Sequence, residues 1–233
     1  MDKIEIRATK LETYWTCPYR YKYEPEPDVE AEHFKLWTAL HKYIELVLHN
    51  QLNETTQMFV LNERWVKQRL MIIKMADLVV EKVKKKWYTL VGSERTNKVF
   101  FDDVNILLQG TFDHLFQNQE WEYILMDIKT AKSKWDDEHK QAVRQNVIYP
   151  ALLKLKYNMD IKYFEYRVMT KTSNPTLEDI CFEIQWDVVT EVHDKVKELR
   201  QSEEDNFFPP KYWNYSCFFC RSRDTCKNYS PPK

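Results

Sequence analysis

The chain has 233 residues, 35 basic against 36 acidic side chains and a formal charge of −1, with 43% hydrophobic and 15% aromatic content. That composition supports a packed core and excludes a disordered chain, while the length suits one large domain or a domain with an elaborated cap. No global basic field draws in nucleic acid, so such binding needs a local patch.

The opening MDKIEIRATKLETYW lacks the apolar core of a signal peptide, and no apolar run approaches a membrane span, which predicts a soluble, intracellular (cytoplasmic) protein. From about Lys10 to Tyr23 the chain reads as a short aromatic-rich helix broken at Pro18, followed by an EPEPD loop. Between Ala31 and about His49, Phe34, Trp37, Leu40, Ile44 and Val47 or Leu48 recur at helical spacing. A second long helix covers roughly Gln57 to Trp87 and ends in the basic cluster EKVKKKW. The pattern then changes: KVFFDDVNILLQGTFDHLF and WEYILMDIKT read as strands joined by the polar turn QNQE. A helix from about Asp136 to Tyr157 is expected to kink at Pro150. IKYFEYRVMT and EDICFEIQWDV are two further strands, Thr190 to about Glu204 is an amphipathic helix, and the tail is irregular. This order predicts one mixed α/β domain over 1–233 with helices covering its sheet. It divides into an N-terminal helical part to about residue 92, a sheet core over 93–188, and a C-terminal helix with a cysteine tail over 189–233.

Strand alternation puts Tyr123, Leu125, Asp127 and Lys129 on one face and Ile124, Met126 and Ile128 on the other. Asp113, on the partner strand of the hairpin, can lie near Asp127. Two adjacent carboxylates repel unless a cation sits between them, and hard oxygen ligands suit Mg²⁺ or Mn²⁺. A lysine beside that ion can orient a water or stabilise charge growing on a phosphate. A single D-x-K strand, taken alone, is an ordinary ion pair. Gln145 and Tyr149, four residues apart on one helix face, follow that strand directly and can lean over the site. His41 offers an imidazole from the early helix, although imidazole is not a typical Mg²⁺ ligand. Of only two glycines, Gly92 and Gly110, the second opens the GTFD segment that carries Asp113.

The tail segment CFFCRSRDTC supplies three cysteines, Cys217, Cys220 and Cys226, at C-x-x-C-x5-C spacing. A fourth thiolate would come from Cys17 or Cys181, and on spacing alone Zn²⁺ competes strongly with an iron–sulfur cluster. Cys181 lies in a strand, where a lone cysteine reads as a small apolar residue.

Taken in order, His41, Gly110-Thr111-Phe112-Asp113, Asp127-Ile128-Lys129 and Gln145 to Tyr149 form the series H…G-x-x-D…D-x-K…Q-x-x-x-Y. The series resembles the RecB-like branch of the PD-(D/E)XK nuclease superfamily, and the opening LETYWTCPYRYKY resembles that branch's aromatic C-P-x-x-Y start. The resemblance runs from about Leu11 to Cys226. It implies a restriction-endonuclease-like core, a mixed central sheet flanked by helices. It also implies that His41, Asp113, Asp127 and the backbone carbonyl of Ile128 hold Mg²⁺ or Mn²⁺. Lys129 would assist attack by water on a phosphodiester, with Gln145 and Tyr149 supporting the site. The cysteine layout is similar to that of CRISPR-associated RecB-like exonucleases and AddB-type nuclease domains. There Cys17 with Cys217, Cys220 and Cys226 would bind a 4Fe-4S cluster joining the chain ends, Zn²⁺ being the alternative. Two positions depart from the pattern: Asp127 stands where glutamate is commoner, and only Thr38 and Ala39 represent the small residue before the histidine.

The expected function is therefore a metal-dependent deoxyribonuclease, an exonuclease acting on single-stranded DNA or DNA ends. No sequence-reading module is visible, so cleavage should be sequence-independent and dominated by backbone contacts. Lys132 and Lys134, just after the catalytic strand, are the nearest phosphate contacts. Expected partners are DNA and a second copy of the chain or a partner nuclease or helicase. The competing readings are a catalytically silent DNA-binding module on the same scaffold and an iron–sulfur redox or sensing protein.

Overall fold

In the computed structural model, which describes residues 2–25, 32–53, 56–57, 66–185, 187–211, 217 and 220–226, the strand β3 (Ile106–Gln117) is the axis of a six-stranded sheet. β2 (Thr89–Phe101) runs antiparallel along the whole of one edge of β3, from Thr89 opposite Gln117 to Phe101 opposite Ile106. Two strands share the other edge. β1 (Ile4–Arg7) pairs in parallel with Ile106 to Gln109, and β4 (Tyr123–Ala131) pairs antiparallel with His114 to Gln117. Between them, residues 110–113 of β3 have no strand partner on that side among the described residues, which opens a window in the sheet. β5 (Ile161–Thr170) continues in parallel from β4, and β6 (Leu177–Glu183) closes the sheet antiparallel to β5.

Helices cover both faces. On one, α1 (Ala8–Thr16), α6 (Gln145–Tyr157) and α7 (Val188–Glu204) bury Leu11, Ile148, Leu152, Val192 and Leu199 against Leu108, Leu115, Leu125 and Phe164 of the strands. On the other, α3 (Glu32–Leu48) and α4 (Val66–Lys85) bury Leu40, Ile44, Met75 and Val79 against Phe116, Ile124, Met126 and Ile128. Three short helices complete the described chain: α2 (Pro18–Tyr23), α5 (Asp137–Ala142) and α8 (Arg223–Cys226). The mixed sheet flanked by helices, with helices before it and cysteines after it, is the restriction-endonuclease-like core that the resemblance implies.

Several elements differ from the sequence-based expectation. IEIR is a strand, too short for its alternation to stand out. KVFFDDVNILLQGTFDHLF is two strands rather than one, because the chain reverses at 102–105 through a left-handed Asn105 (φ 53°) without glycine or proline. β2 begins in the polar stretch TLVGSERTN, where a bulge between Leu90 and Gly92 breaks the alternation. The helix expected over 136–157 breaks at Val143–Arg144, not at Pro150, which lies inside a continuous α6. The break coincides with the Arg144 N–H donating to the Glu12 carboxylate at 2.8 Å instead of to a helix carbonyl. The EPEPD loop after Pro25 and residues 58–65 of the expected second helix lie outside the described residues, as does much of the tail.

A buried ion network ties β5 to the α3/α4 side. Arg167, fully buried, pairs with Glu165 at 2.6 Å and with Asp179, while Glu165 also accepts from Lys86 Nζ at 2.6 Å and from the Tyr88 hydroxyl at 2.8 Å. Each charge there has an opposite partner, which is the condition for burying one without a large penalty.

Gly110 sits in the window. A Cβ there would stand 2.8 Å from Tyr149 Cε1, 2.9 Å from Leu152 Cδ1 and 3.0 Å from Ala8 Cβ, so the absent side chain lets α6 and α1 close on the open edge of β3. We expect Gly110→Ala to lower stability by about 1–3 kcal/mol through overpacking. A urea titration checks this: the midpoint should fall with the slope unchanged, and an unshifted midpoint would show that α6 does not pack this closely.

Candidate metal centre

The site forms where β3 and β4 part. Their pairing ends at His114–Met126, and one step further Asp113 and Asp127 stand across from each other. Instead of a ladder hydrogen bond, the Asp113 Oδ2 accepts from the Ile128 N–H at 2.6 Å. This contact fixes one carboxylate oxygen and leaves the other free to face the window. Both aspartates are buried, at 6% and 3% exposure. The Ile128 side chain belongs to the α3/α4 core, as the alternation predicts.

His41 reaches the same point from α3. Its Nδ1 lies 3.4 Å from Asp113 Oδ1 and 3.5 Å from Glu94 Oε1, in electrostatic contact with both, yet among the described residues neither ring nitrogen makes a well-aligned hydrogen bond although the ring is buried. Among the described residues, His41, Glu94 and Asp113 form a three-ligand group, with ligand atoms all within 4.8 Å of one another. An orphaned buried imidazole between two carboxylates fits a divalent cation.

Glu94 was not singled out from the sequence. It lies in β2 between the pairs Ser93–His114 and Arg95–Phe112, level with Asp113, and its backbone is left-handed at φ 47°. A glutamate forced into that conformation costs on the order of 1–3 kcal/mol, the kind of strain that collects at functional sites. The strand preceding GTFD, antiparallel and level with it, was the signal that could have found it.

The protonation of the cluster reflects crowding. Burial pushes Asp127 up to about 7, reinforced by Asp113 and opposed by Lys129. Burial acts on Asp113 in the same sense, but the charges of His41 and Lys129 outweigh it and hold Asp113 below its usual range. His41 is raised to about 9: burial opposes its charge, and Asp113 and Glu94 more than offset that. Burial also opposes the charge on Lys129, and Asp127 and Asp113 outweigh it, so the ammonium is held above its ordinary value.

Lys129 Nζ lies 2.6 Å from Asp127 Oδ2 and donates to Gln145 Oε1 at 2.8 Å, so the structure brings the D-x-K strand and the Q-x-x-x-Y helix together. Gln145 Nε2 donates to Glu12 Oε2 at 3.0 Å, a partner absent from the sequence reading. Tyr149, one turn further along α6, is buried beside Gly110 and packs on Phe164. Asp113, Asp127, Lys129, Gln145 and Tyr149 line one cleft of about 480 Å³, with Arg7, Thr96, Thr111 and Trp37 on its other walls. The Trp37 ring is 37% exposed and stands 4.0 Å from the His41 ring, centroid to centroid. Lys132 and Lys134 are exposed on the segment after β4 and do not line the cleft.

The sequence profile of the PD-(D/E)XK nuclease superfamily matches residues 6–227. The chain belongs to that superfamily. No curated protein matches it in sequence. Among solved structures, the crystal structure of SSO0001 is similar at 16% identity, covering 98% of this chain and 88% of that one, with a TM-score of 0.49. A putative exonuclease from Eubacterium rectale is similar at 9% identity, covering 98% and 89%, with a TM-score of 0.48.

Within the superfamily, assignment to the RecB-like branch with an iron–sulfur cluster, close to the CRISPR-associated and AddB-type nucleases, is not upheld. The profile match is to the superfamily as a whole. Cys17, Cys217, Cys220 and Cys226 are not in disulfides and do not form a ligand group among the described residues, so neither a 4Fe-4S cluster nor Zn²⁺ is supported there. Cys17 Sγ instead accepts from the Lys211 N–H at 3.4 Å and Cys217 Sγ donates to the Lys211 carbonyl at 3.6 Å, while burial raises the Cys220 and Cys226 thiols. Cys181 is exposed rather than buried. The chain ends do meet, through hydrogen bonds: Lys211 Nζ to the Trp15 carbonyl at 2.8 Å, Ser222 Oγ to the Tyr23 carbonyl at 2.9 Å, and the Arg221 N–H to Glu24 at 3.1 Å.

The raised groups set the sign of a pH dependence. The folded protein keeps a proton on Asp127 up to about 7 that the unfolded chain releases near 3.8, and one on His41 up to about 9 that the unfolded chain releases near 6.5. Their contribution to metal-free stability is therefore present at low pH and is lost as pH rises through those folded values. A cation must displace the same protons, so thermal stabilisation by Mn²⁺ should be larger at about pH 8 than at about pH 6, and Glu94→Gln should shrink it. Differential scanning calorimetry with and without Mn²⁺ reads both effects. A shift that is independent of pH would place the cation elsewhere.

Proposed function

We propose that the protein is a Mg²⁺- or Mn²⁺-dependent DNA nuclease that hydrolyses phosphodiester bonds without sequence preference, acting on single strands or DNA ends. The observation that carries this reading is the buried His41 ring, whose Nδ1 lies within 3.5 Å of both the Glu94 and the Asp113 carboxylates at the parting of two strands. His41, Glu94 and Asp113 would hold the cation, with Asp127 and the Ile128 carbonyl beside them. When bound, it supplies Lewis-acid polarisation of a phosphoryl oxygen and lowers the pKa of a coordinated water.

The chain's own residues divide the remaining work. Lys129 is held as a cation at neutral pH by Asp127 and Asp113 against the effect of burial, which suits it to donate to the charge growing on phosphoryl oxygens. Burial keeps Tyr149 a neutral phenol, reinforced by both aspartates, so it offers the cleft an O–H. Trp37 gives the cleft mouth a flat apolar surface on which an unpaired base can stack, and Arg7 gives it a guanidinium for a phosphate. Lys132 and Lys134 extend the basic character beyond the cleft, as outlying phosphate contacts.

Cleavage of end-labelled single- and double-stranded DNA in Mg²⁺, Mn²⁺ and chelator tests the reading. Asp113→Ala should keep the fold, judged by its circular dichroism, and lose cutting altogether. Lys129→Met should lower kcat by about 10²–10³-fold, the usual loss for one electrostatic donor. Cutting that survives chelator and Asp113→Ala would refute the assignment. A folded protein that binds DNA without cutting would be the silent binding module instead. With Ca²⁺ replacing Mg²⁺, Trp37→Ala should weaken binding of a single strand by about tenfold, the worth of one base stack, and leave duplex binding little changed. Equal losses on both, read by fluorescence anisotropy, would remove the stacking role.

A further inference from the structure

Glu12 lies in α1, outside the sheet, yet both of its carboxylate oxygens are committed to the start of α6. Oε1 accepts from the Arg144 N–H at 2.8 Å, and Oε2 accepts from Gln145 Nε2 at 3.0 Å. The second bond decides which way the Gln145 amide faces. With its NH₂ on Glu12, its oxygen faces Lys129, whose Nζ donates to it at 2.8 Å. Lys129 Nζ is also 2.6 Å from Asp127 Oδ2. The four side chains form a directional series, Glu12–Gln145–Lys129–Asp127, running from a carboxylate on the N-terminal helix to one beside the candidate metal centre.

A lysine near two carboxylates has a simpler choice, which is to collapse onto them. Its four-carbon stem is flexible and its ammonium is a point charge with three donors. A second acceptor, fixed in place, is what holds the ammonium at a defined position. With Asp127 in ion-pair contact and one proton donated to Gln145, the ammonium keeps donor capacity for the cleft that both side chains line. The anchor is itself rigid: Leu11 is fully buried, and the Tyr14 hydroxyl hydrogen bonds Ser202 Oγ at 2.8 Å, which ties α1 to α7.

We propose that Glu12 is a positioning residue of the nuclease centre, which orients the Gln145 amide and through it presents the Lys129 ammonium to the substrate phosphate. The proposal rests on the nuclease reading above and extends it to a residue outside the D…D-x-K…Q-x-x-x-Y series. Its merely structural counterpart is a carboxylate that caps α6 and does nothing more.

The test is a reversal of polarity. Glu12→Gln replaces one acceptor by a donor, which meets the Gln145 NH₂ donor to donor and releases that amide. We expect kcat to fall by about 10- to 100-fold with KM within about twofold, the consequence of a misplaced group rather than lost binding. Glu12→Gln combined with Gln145→Glu restores the series in reverse, since the amide at position 12 then donates and the carboxylate at position 145 accepts from it and from Lys129. The pair should recover kcat to within about threefold, a strong coupling in a double-mutant cycle. Acylation of Lys129 by a water-soluble ester, followed by mass spectrometry, reads the same geometry without catalysis: labelling should rise in Glu12→Gln and return in the pair. If Glu12→Gln lowers only the melting temperature, with kcat and Lys129 labelling unchanged, the carboxylate is a cap and the proposal is wrong. If the unaltered chain does not cut at all, the nuclease reading fails, and the labelling series alone decides whether Glu12 positions Lys129.

Discussion

A carboxylate hydrogen bond in place of a ladder hydrogen bond is the contact on which the site depends. Where β3 and β4 separate, Asp113 accepts from the Ile128 N–H, and the backbone group that the parted strands would leave unpaired is satisfied. That arrangement lets the strands diverge without leaving that buried donor unpaired. The divergence in turn brings Asp127 and Lys129 to the window, admits α6 against Gly110, and lets α3 deliver His41. β2 remains paired along the whole of β3, which is why Glu94 arrives level with Asp113. The geometry of the site is the geometry of one sheet opening on one edge while the other stays closed.

The two faces of the sheet show the difference between charges that hold a fold and charges set up for chemistry. On the α3/α4 side, Arg167, Glu165, Asp179 and Lys86 pair off. Around the window the account does not close. Asp113 and Asp127 are crowded enough to move apart in acidity, and His41 is drawn into carrying a charge between the Asp113 and Glu94 carboxylates. Buried charge is tolerated when it is neutralised on the spot, and a cluster that neutralises itself by taking up protons is one that a cation fits.

The parts of this arrangement legible in the sequence are those whose signal is local. Alternation along YILMDIKT placed Asp127 and Lys129 on one face, four-residue spacing placed Gln145 with Tyr149, and the rarity of glycine drew attention to Gly110. Glu94 was hidden because a bulge and a left-handed backbone interrupt the alternation of β2 in a stretch as polar as a loop. Glu12 was hidden for another reason: its partners lie 132 and 133 residues away, and no spacing along a helix encodes such a contact. The cysteines show the opposite failure. Their spacing is conspicuous, but spacing describes the chain, not the distance between sulfurs, and Lys211 takes up two of those sulfurs.

The seam between the two ends of the chain has a consequence for the order of folding. Tyr14, Tyr21 and Lys22 hydrogen bond to α7, and Trp15, Tyr23 and Glu24 to the segments beyond it, across sequence separations of 181 to 199 residues. Contacts of that span carry a large closure entropy and form late. During synthesis the first helix therefore leaves the ribosome long before these partners exist, and the seam closes only when nearly the whole chain is available. The sheet, the parted strands and both partners of Glu12, Arg144 and Gln145, all precede that seam in the chain. A chain clipped between the first helix and α3 would keep His41, Glu94 and Asp113 together and lose its hold on the residue that anchors Gln145.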